Sequence, residues 1–167
     1  MAYDSSSVLG KSFCKQRLID SYGLKNNPFI CLTMCRLIKE KGLDSIIEQI
    51  PLIKELGGIL IVVGKGDKYY EDAFSKFSFE DGLIYVPHWA SYLQMPPFLA
   101  GADFYLQPSL IENGGLMPLT AMSYGTIPIV TLNGGLLDNF NDDNAIVVYD
   151  DLADALVRAS ELYQNKK

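Results

Sequence analysis

Short, continuous apolar runs alternate along this chain with stretches whose apolar residues recur every three or four positions. The runs are Phe29 to Met34, Ile59 to Val63, Leu83 to Val86, Phe104 to Gln107, Ile127 to Val130 and Asn144 to Val148. Their length is that of strands, and their lack of alternation suits strands covered on both faces. Between the first two, Leu43, Ile46, Ile47, Ile50 and Ile53 fall at helical spacing around Pro51. That pattern predicts a helix that kinks or restarts at the proline. Lys11 to Ser21, Tyr69 to Phe77, Ser91 to Ala100, Leu119 to Tyr124 and Leu152 to Gln164 read as further helices. Residues 1–10 carry no apolar period and read as a flexible lead-in, which leaves 11–167 as one domain.

Strand and helix alternate at the spacing of βαβ units. The expected fold is α/β: a doubly wound, mostly parallel sheet with right-handed crossovers and helices on both faces. In such open sheets ligands bind beyond the C-terminal ends of the strands. Gly64/Gly66, Gly114/Gly115 and Gly134/Gly135 all follow strand ends, and a shared side would give them one crevice.

Composition narrows the partners. The 167 residues are 49% apolar and 20% charged, with net charge −6 and no block of Lys or Arg. That argues against a nucleic-acid or anionic-membrane partner. No apolar run approaches the roughly 20 residues of a membrane span, and no secretory signal is visible in Met1 to Gly10. Cys14, Cys31 and Cys35 lack zinc or redox-pair spacing and read as free thiols, with Cys31 and Cys35 on one face of a strand. His88 is the only histidine, so a His-based metal site is not expected. A soluble protein of a reducing compartment is the expectation.

The chemistry concentrates in Pro108 to Leu119, a strand-to-helix turn. Gly114 and Gly115 let backbone N–H groups approach a ligand, and the unpaired N–H groups of the following helix favour an anion. Glu112 is a carboxylate in the same turn, fit either for sugar hydroxyls or for nearby backbone N–H groups. Arg36 and Lys41, after the first strand, read as holders of a diphosphate or as solvated surface charge. Gly64-Lys65-Gly66-Asp67 reads as a loose phosphate turn or as a tight turn capped by Asp67. His88 and Trp89 offer rings for a nucleotide base or for packing under a loop.

Taken together, these residues resemble the C-terminal half of bacterial glycogen synthases and plant starch synthases. Lys11 to Lys15 with Gly23-Leu24 resembles that family's K-x-x-x-K…GL. Arg36-Leu37 with Lys41-Gly42 resembles RL-x-x-x-KG, and Gly64-x-Gly66-Asp67 resembles G-x-GD. Ala100 to Asp103 with Pro108-Ser109 resembles AGAD…PS, and Glu112 to Leu116 resembles E-P-C-G-L. Tyr124 to Pro128 and Gly134 to Asp138 resemble YGT-x-P and GGL-x-D. The motifs occur in order from about Lys11 to Gln164. Asn113 and Gly114 stand where the family has Pro-Cys, and Met117 where it has Thr. No second Glu follows Glu112 at the E-x₇-E spacing of other sugar-nucleotide transferases; Leu119 and Thr120 occupy that region.

The resemblance implies a Rossmann-like domain, one half of a GT-B glycosyltransferase. It implies retaining transfer of glucose from ADP-glucose or UDP-glucose to the non-reducing end of an α-1,4-glucan, with no metal or other cofactor. By carry-over, Arg36 and Lys41 hold the donor diphosphate and Glu112 contacts the donor glucose. Gly114, Gly115 and Leu116 line the sugar and phosphate, Gly64 and Gly66 border the nucleotide, and His88 takes the place of a base-stacking Tyr. The glucan would be met through an N-terminal half that these residues do not include, so the chain alone is expected to be inactive. The alternatives are a non-catalytic nucleotide-binding or regulatory module on the same fold, and half of another sugar-nucleotide enzyme. The implied location is the cytoplasm, or the plastid stroma in a plant or alga.

Overall fold

The computed structural model describes residues 8–88 and 94–165. The expectations placed on 1–7, on Trp89 and on a helix start at Ser91 lie outside the described residues. The strands are β1 (Phe29–Met34), β2 (Gly58–Val63), β3 (Leu83–Val86), β4 (Phe104–Gln107), β5 (Ile127–Thr131) and β6 (Ile146–Val148). They form one sheet in the order β3-β2-β1-β4-β5-β6, and every pairing is parallel. This is the Rossmann order, whose winding reverses between the first and fourth strands.

The apolar runs owe their continuity to burial on both faces. Side chains alternate across a strand, so Ile30, Leu32, Ile61 and Tyr105 face one layer of helices. That layer is α1 (Val8–Tyr22), α5 (Met95–Gly101) and α6 (Leu116–Ser123). Cys31, Leu60, Val62 and Leu106 face the other layer. It consists of α2 (Leu43–Glu48), α3 (Ile50–Glu55), α4 (Lys68–Ser75) and α7 (Leu152–Asn165).

The helix around Pro51 restarts, as its sequence predicts. α2 ends at Glu48, and Pro51 sits in the first turn of α3, where its missing N–H needs no acceptor. Ile46, Ile50 and Ile53 remain fully buried across the break. Some boundaries differ from the expectation. α1 begins at Val8 rather than Lys11, and α6 at Leu116 rather than Leu119. The sixth strand begins at Ile146, because Asn144 and Ala145 are turned back onto the Asn141 carbonyl.

The N-terminal edge of the sheet is fastened by two lysines of α1. Lys11 Nζ donates to Ala102 O at 2.6 Å, to Thr126 Oγ1 at 2.9 Å, and to Ala100 O and Tyr124 O at 3.3 Å. It thereby satisfies carbonyls left over at the ends of α5 and α6. Lys15 Nζ lies 2.7 Å from both Asp103 Oδ2 and the Tyr163 hydroxyl. The same Asp103 oxygen accepts the Ile30 N–H at 2.7 Å. One ion pair thus joins α1, α7, β1 and the entry to β4.

At the opposite edge the two central strands part. The β1–β4 ladder covers Cys31↔Phe104 and Leu32↔Tyr105. Beyond it the buried Tyr105 hydroxyl donates to Met34 O at 2.8 Å. Burial raises that phenol well above its ordinary value and keeps the proton it donates. A crevice opens above this bond, at the point where the winding reverses.

Candidate functional site

Two loops wall the crevice, one after β1 and one after β4. Backbone groups zip them together: Leu110 N and Ile111 N donate to Glu40 O at 2.8 and 3.2 Å. Gly42 makes the approach possible, since its φ is +67° and a Cβ there would collide with the Pro108 carbonyl. The β5 side grips the second loop from behind. Thr131 Oγ1 donates to Ser109 O at 2.7 Å, and Asn133 Nδ2 donates to the same oxygen. Gly135 N donates to Glu112 O at 2.9 Å, and Gly134, at φ +48°, leaves no room for a Cβ beside that carbonyl. The loop carrying Glu112 is therefore set before any ligand arrives.

Glu112 stands at the centre of the site. Its Oε2 accepts from Lys41 Nζ and Gln107 Nε2, both at 2.7 Å, and from Ser109 Oγ at 3.4 Å. Its Oε1 accepts from Gly114 N at 3.4 Å and Gly115 N at 3.3 Å. The Lys41 and Glu112 side chains are 19% and 12% exposed, so the pair is shielded but open to the crevice. Burial pushes the Glu112 carboxyl up, but the Lys41 bond and the two glycine N–H groups outweigh it and hold the carboxyl below its usual range. Glu112 is thus an anion at neutral pH.

Around it lies a cavity of about 360 Å³. Arg36 is exposed at its rim and makes no ion pair among the described residues. On the far side α6 begins at Leu116, with Gly115 as its N-cap in left-handed backbone and no side chain capping it. The N–H groups of Leu116 and Met117 have no acceptor within the helix, and Pro118 in the first turn has none to offer. A guanidinium, an ammonium and a helix N-terminus therefore face one hollow, an arrangement that suits an anion of two or more charges. The floor is apolar: Met34, Met117 and Cys35. Burial pushes the Cys35 thiol up to about 11, so it lines the cavity as a neutral group.

The structure brings Arg36, Lys41, Glu112, Gly114, Gly115 and Leu116 to this one cavity. Gly64, Gly66 and His88 do not line it. Gly64 and Gly66 instead pack backbone against backbone under the Cys35 and Leu37 carbonyls. Leu37 N donates to Lys65 O at 2.9 Å and Asp67 N to Leu37 O at 2.7 Å, which fixes the path of the loop bearing Arg36. Asp67 is the N-cap residue of α4, but its side chain does not cap; Glu71 Oε1 accepts the Gly66 N–H at 2.9 Å instead. His88 is exposed just beyond β3, two strands from the crevice. Sequence reasoning missed Gln107 as a site residue. The available signal was one polar side chain closing an otherwise apolar strand next to the glycine turn.

The family described as glycosyl transferases group 1 matches residues 15–166. A glycogen synthase of Yersinia enterocolitica is 35% identical across 94% of this chain and 36% of its own length. One from Desulforudis audaxviator is 41% identical across 64% of this chain and 22% of its own. Among solved structures, the catalytic domain of starch synthase IV from Arabidopsis thaliana, bound to ADP and acarbose, superimposes with a TM-score of 0.86. It is 25% identical and is matched over 97% of this chain and 37% of that one. The chain thus spans about a third or less of the length of the curated relatives it matches.

Proposed function

The chain belongs to the group 1 glycosyl transferases, and from that premise we propose that it is the donor-binding half of a retaining glucosyltransferase of the glycogen and starch synthase kind. The donor is ADP-glucose or UDP-glucose, and the acceptor is the 4-hydroxyl at the non-reducing end of an α-1,4-glucan. The observation that carries this reading is the convergence of Arg36, Lys41, Glu112 and the N-terminus of α6 on one cavity at the winding reversal. The glycogen synthase relatives and the ADP held by the starch synthase neighbour support it.

In this reading the donor diphosphate lies between Arg36, Lys41 and the N–H groups of Leu116 and Met117. Transfer breaks the bond from glucose C1 to a diphosphate oxygen, forms one from C1 to the acceptor's 4-oxygen with release of that hydroxyl's proton, and leaves an extra negative charge on the nucleoside diphosphate. Two fixed cations and a helix N-terminus stabilise that charge without having to reorganise. Glu112, ionised and clamped, accepts hydrogen bonds from the glucose hydroxyls and sets the sugar's angle to the leaving group. The acceptor glucan meets the donor from outside this domain. The 167 residues alone therefore bind donor and do not transfer it, since transfer needs both reactants held.

Titration calorimetry with ADP-glucose and UDP-glucose tests the binding part; saturable binding of one is expected, and binding of neither contradicts the reading. Incubation of the purified chain with the bound donor and a maltooligosaccharide should give no extension. Sustained extension would overturn the division of labour.

A further inference from the structure

β4 ends on Gln107, its one amide side chain, which is only 5% exposed. A carboxamide buried at the end of an apolar strand is costly unless its groups find partners. Its Nε2 finds two: Glu112 Oε2 and Ser109 Oγ, both at 2.7 Å. The two oxygens of Glu112 are therefore unlike. Oε2 is closed by short bonds from Lys41 and Gln107, while among the described residues Oε1 meets only the long contacts from Gly114 and Gly115.

We propose that Gln107 is a positioning residue for the sugar-binding carboxylate, holding Oε2 so that Oε1 is the oxygen the donor's glucose hydroxyls reach. The inference rests on the donor-site reading. An amide suits the task because it donates to the carboxylate without adding charge beside it. With Gln107 gone, Lys41 supplies the one short bond left on Oε2, beside the long contacts from Ser109, Gly114 and Gly115, and the carboxylate is free to turn within them. The diphosphate contacts do not pass through Gln107. Its removal should therefore weaken recognition of the sugar and spare that of the nucleotide. A residue needed only for folding would weaken both alike.

The test titrates wild type, Gln107→Met and Gln107→Glu with ADP and with ADP-glucose, or with UDP and UDP-glucose if uridine binds better, alongside each variant's thermal midpoint. In Gln107→Met the nucleotide affinity should stay within about twofold while the nucleotide-sugar affinity falls about tenfold, the weight of one hydrogen bond to a charged group. In Gln107→Glu the new carboxyl and Glu112 must share a proton to coexist. Among the described residues, Arg36, Lys41 and Cys35 are the other titratable groups lining the same cavity, and the buried Tyr105 phenol lies close enough to interact with Glu112. Sugar binding by that variant should therefore fall as pH rises from 5 to 8, over a range in which wild type stays level. Parallel loss of both ligands, or no loss of either, in a folded Gln107→Met overturns the proposal. If that variant does not fold, a level pH profile for Gln107→Glu overturns it. Wild type that binds neither ligand removes the donor reading itself; wild type that binds both, with unchanged Gln107 variants, removes only the positioning role.

Discussion

Two lysine–carboxylate pairs close at the same 2.7 Å on opposite edges of one sheet. At the N-terminal edge, Lys15 and Asp103 are 12% and 15% exposed; at the C-terminal edge, Lys41 and Glu112 are 19% and 12% exposed. Chemistry and burial are nearly the same, yet the surroundings differ. The lower pair also borders a hollow, of about 410 Å³. Its cations are already committed, Lys15 to Asp103 and Tyr163, and Lys11 to three carbonyls and Thr126. The upper pair faces Arg36, whose guanidinium makes no ion pair among the described residues, and a helix start whose N–H groups have no helical acceptor. A shielded ion pair does not make a site. What separates the two edges is donor capacity left over for an anion.

The comparison breaks most visibly at the lower pair. Asp103→Ala strands Lys15 and removes the acceptor of Ile30 N–H, at a cost of about 3 kcal/mol. The thermal midpoint should fall by roughly 6–12 °C, while the protein that remains folded binds nucleotide as before. A matching loss of nucleotide affinity would mean that the lower edge belongs to the site. Arg36→Ala should do the reverse. On the proposed donor reading, losing its charged hydrogen bonds to the diphosphate costs about 2 kcal/mol, roughly 30-fold in affinity. Because Arg36 is exposed and makes no ion pair among the described residues, the midpoint should move by no more than about 1 °C.

The smallest effect is in acid. The folded state holds the Glu112 carboxyl below its unfolded value. Its contribution to stability is therefore complete above the ordinary carboxylate pKa of about 4.3 and is lost as pH falls through the lower folded value. Denaturant unfolding of wild type and Glu112→Gln should show a gap of about 1 kcal/mol at pH 7 that narrows in acid. A gap that widens in acid would contradict the assigned direction.

Much of this was legible in the chain. The apolar runs give the strands because both faces of the sheet are covered, and Pro51 gives the helix restart because a missing N–H is harmless only in a first turn. That Arg36, Lys41 and Glu112 share one crevice was legible because each follows a strand end in a polar, glycine-bearing turn. The roles of Lys11 and Lys15 were not, since Lys11 bonds to groups 89 to 115 residues away and no local pattern announces such a partner. The Gly64 and Gly66 turn was ambiguous for a related reason. A glycine that admits a phosphate and one that admits a neighbouring loop's carbonyl look alike until the carbonyl is placed. Gln107 was hidden by the strand it ends.

Amide chemical-shift mapping during titration of the chain with ADP tests the central claim most directly. The account predicts that perturbed amides cluster at Arg36, Lys41 and residues 112–117. Perturbations centred on Lys11, Lys15, Asp103 and Gly125, or none at saturating nucleotide, would contradict it.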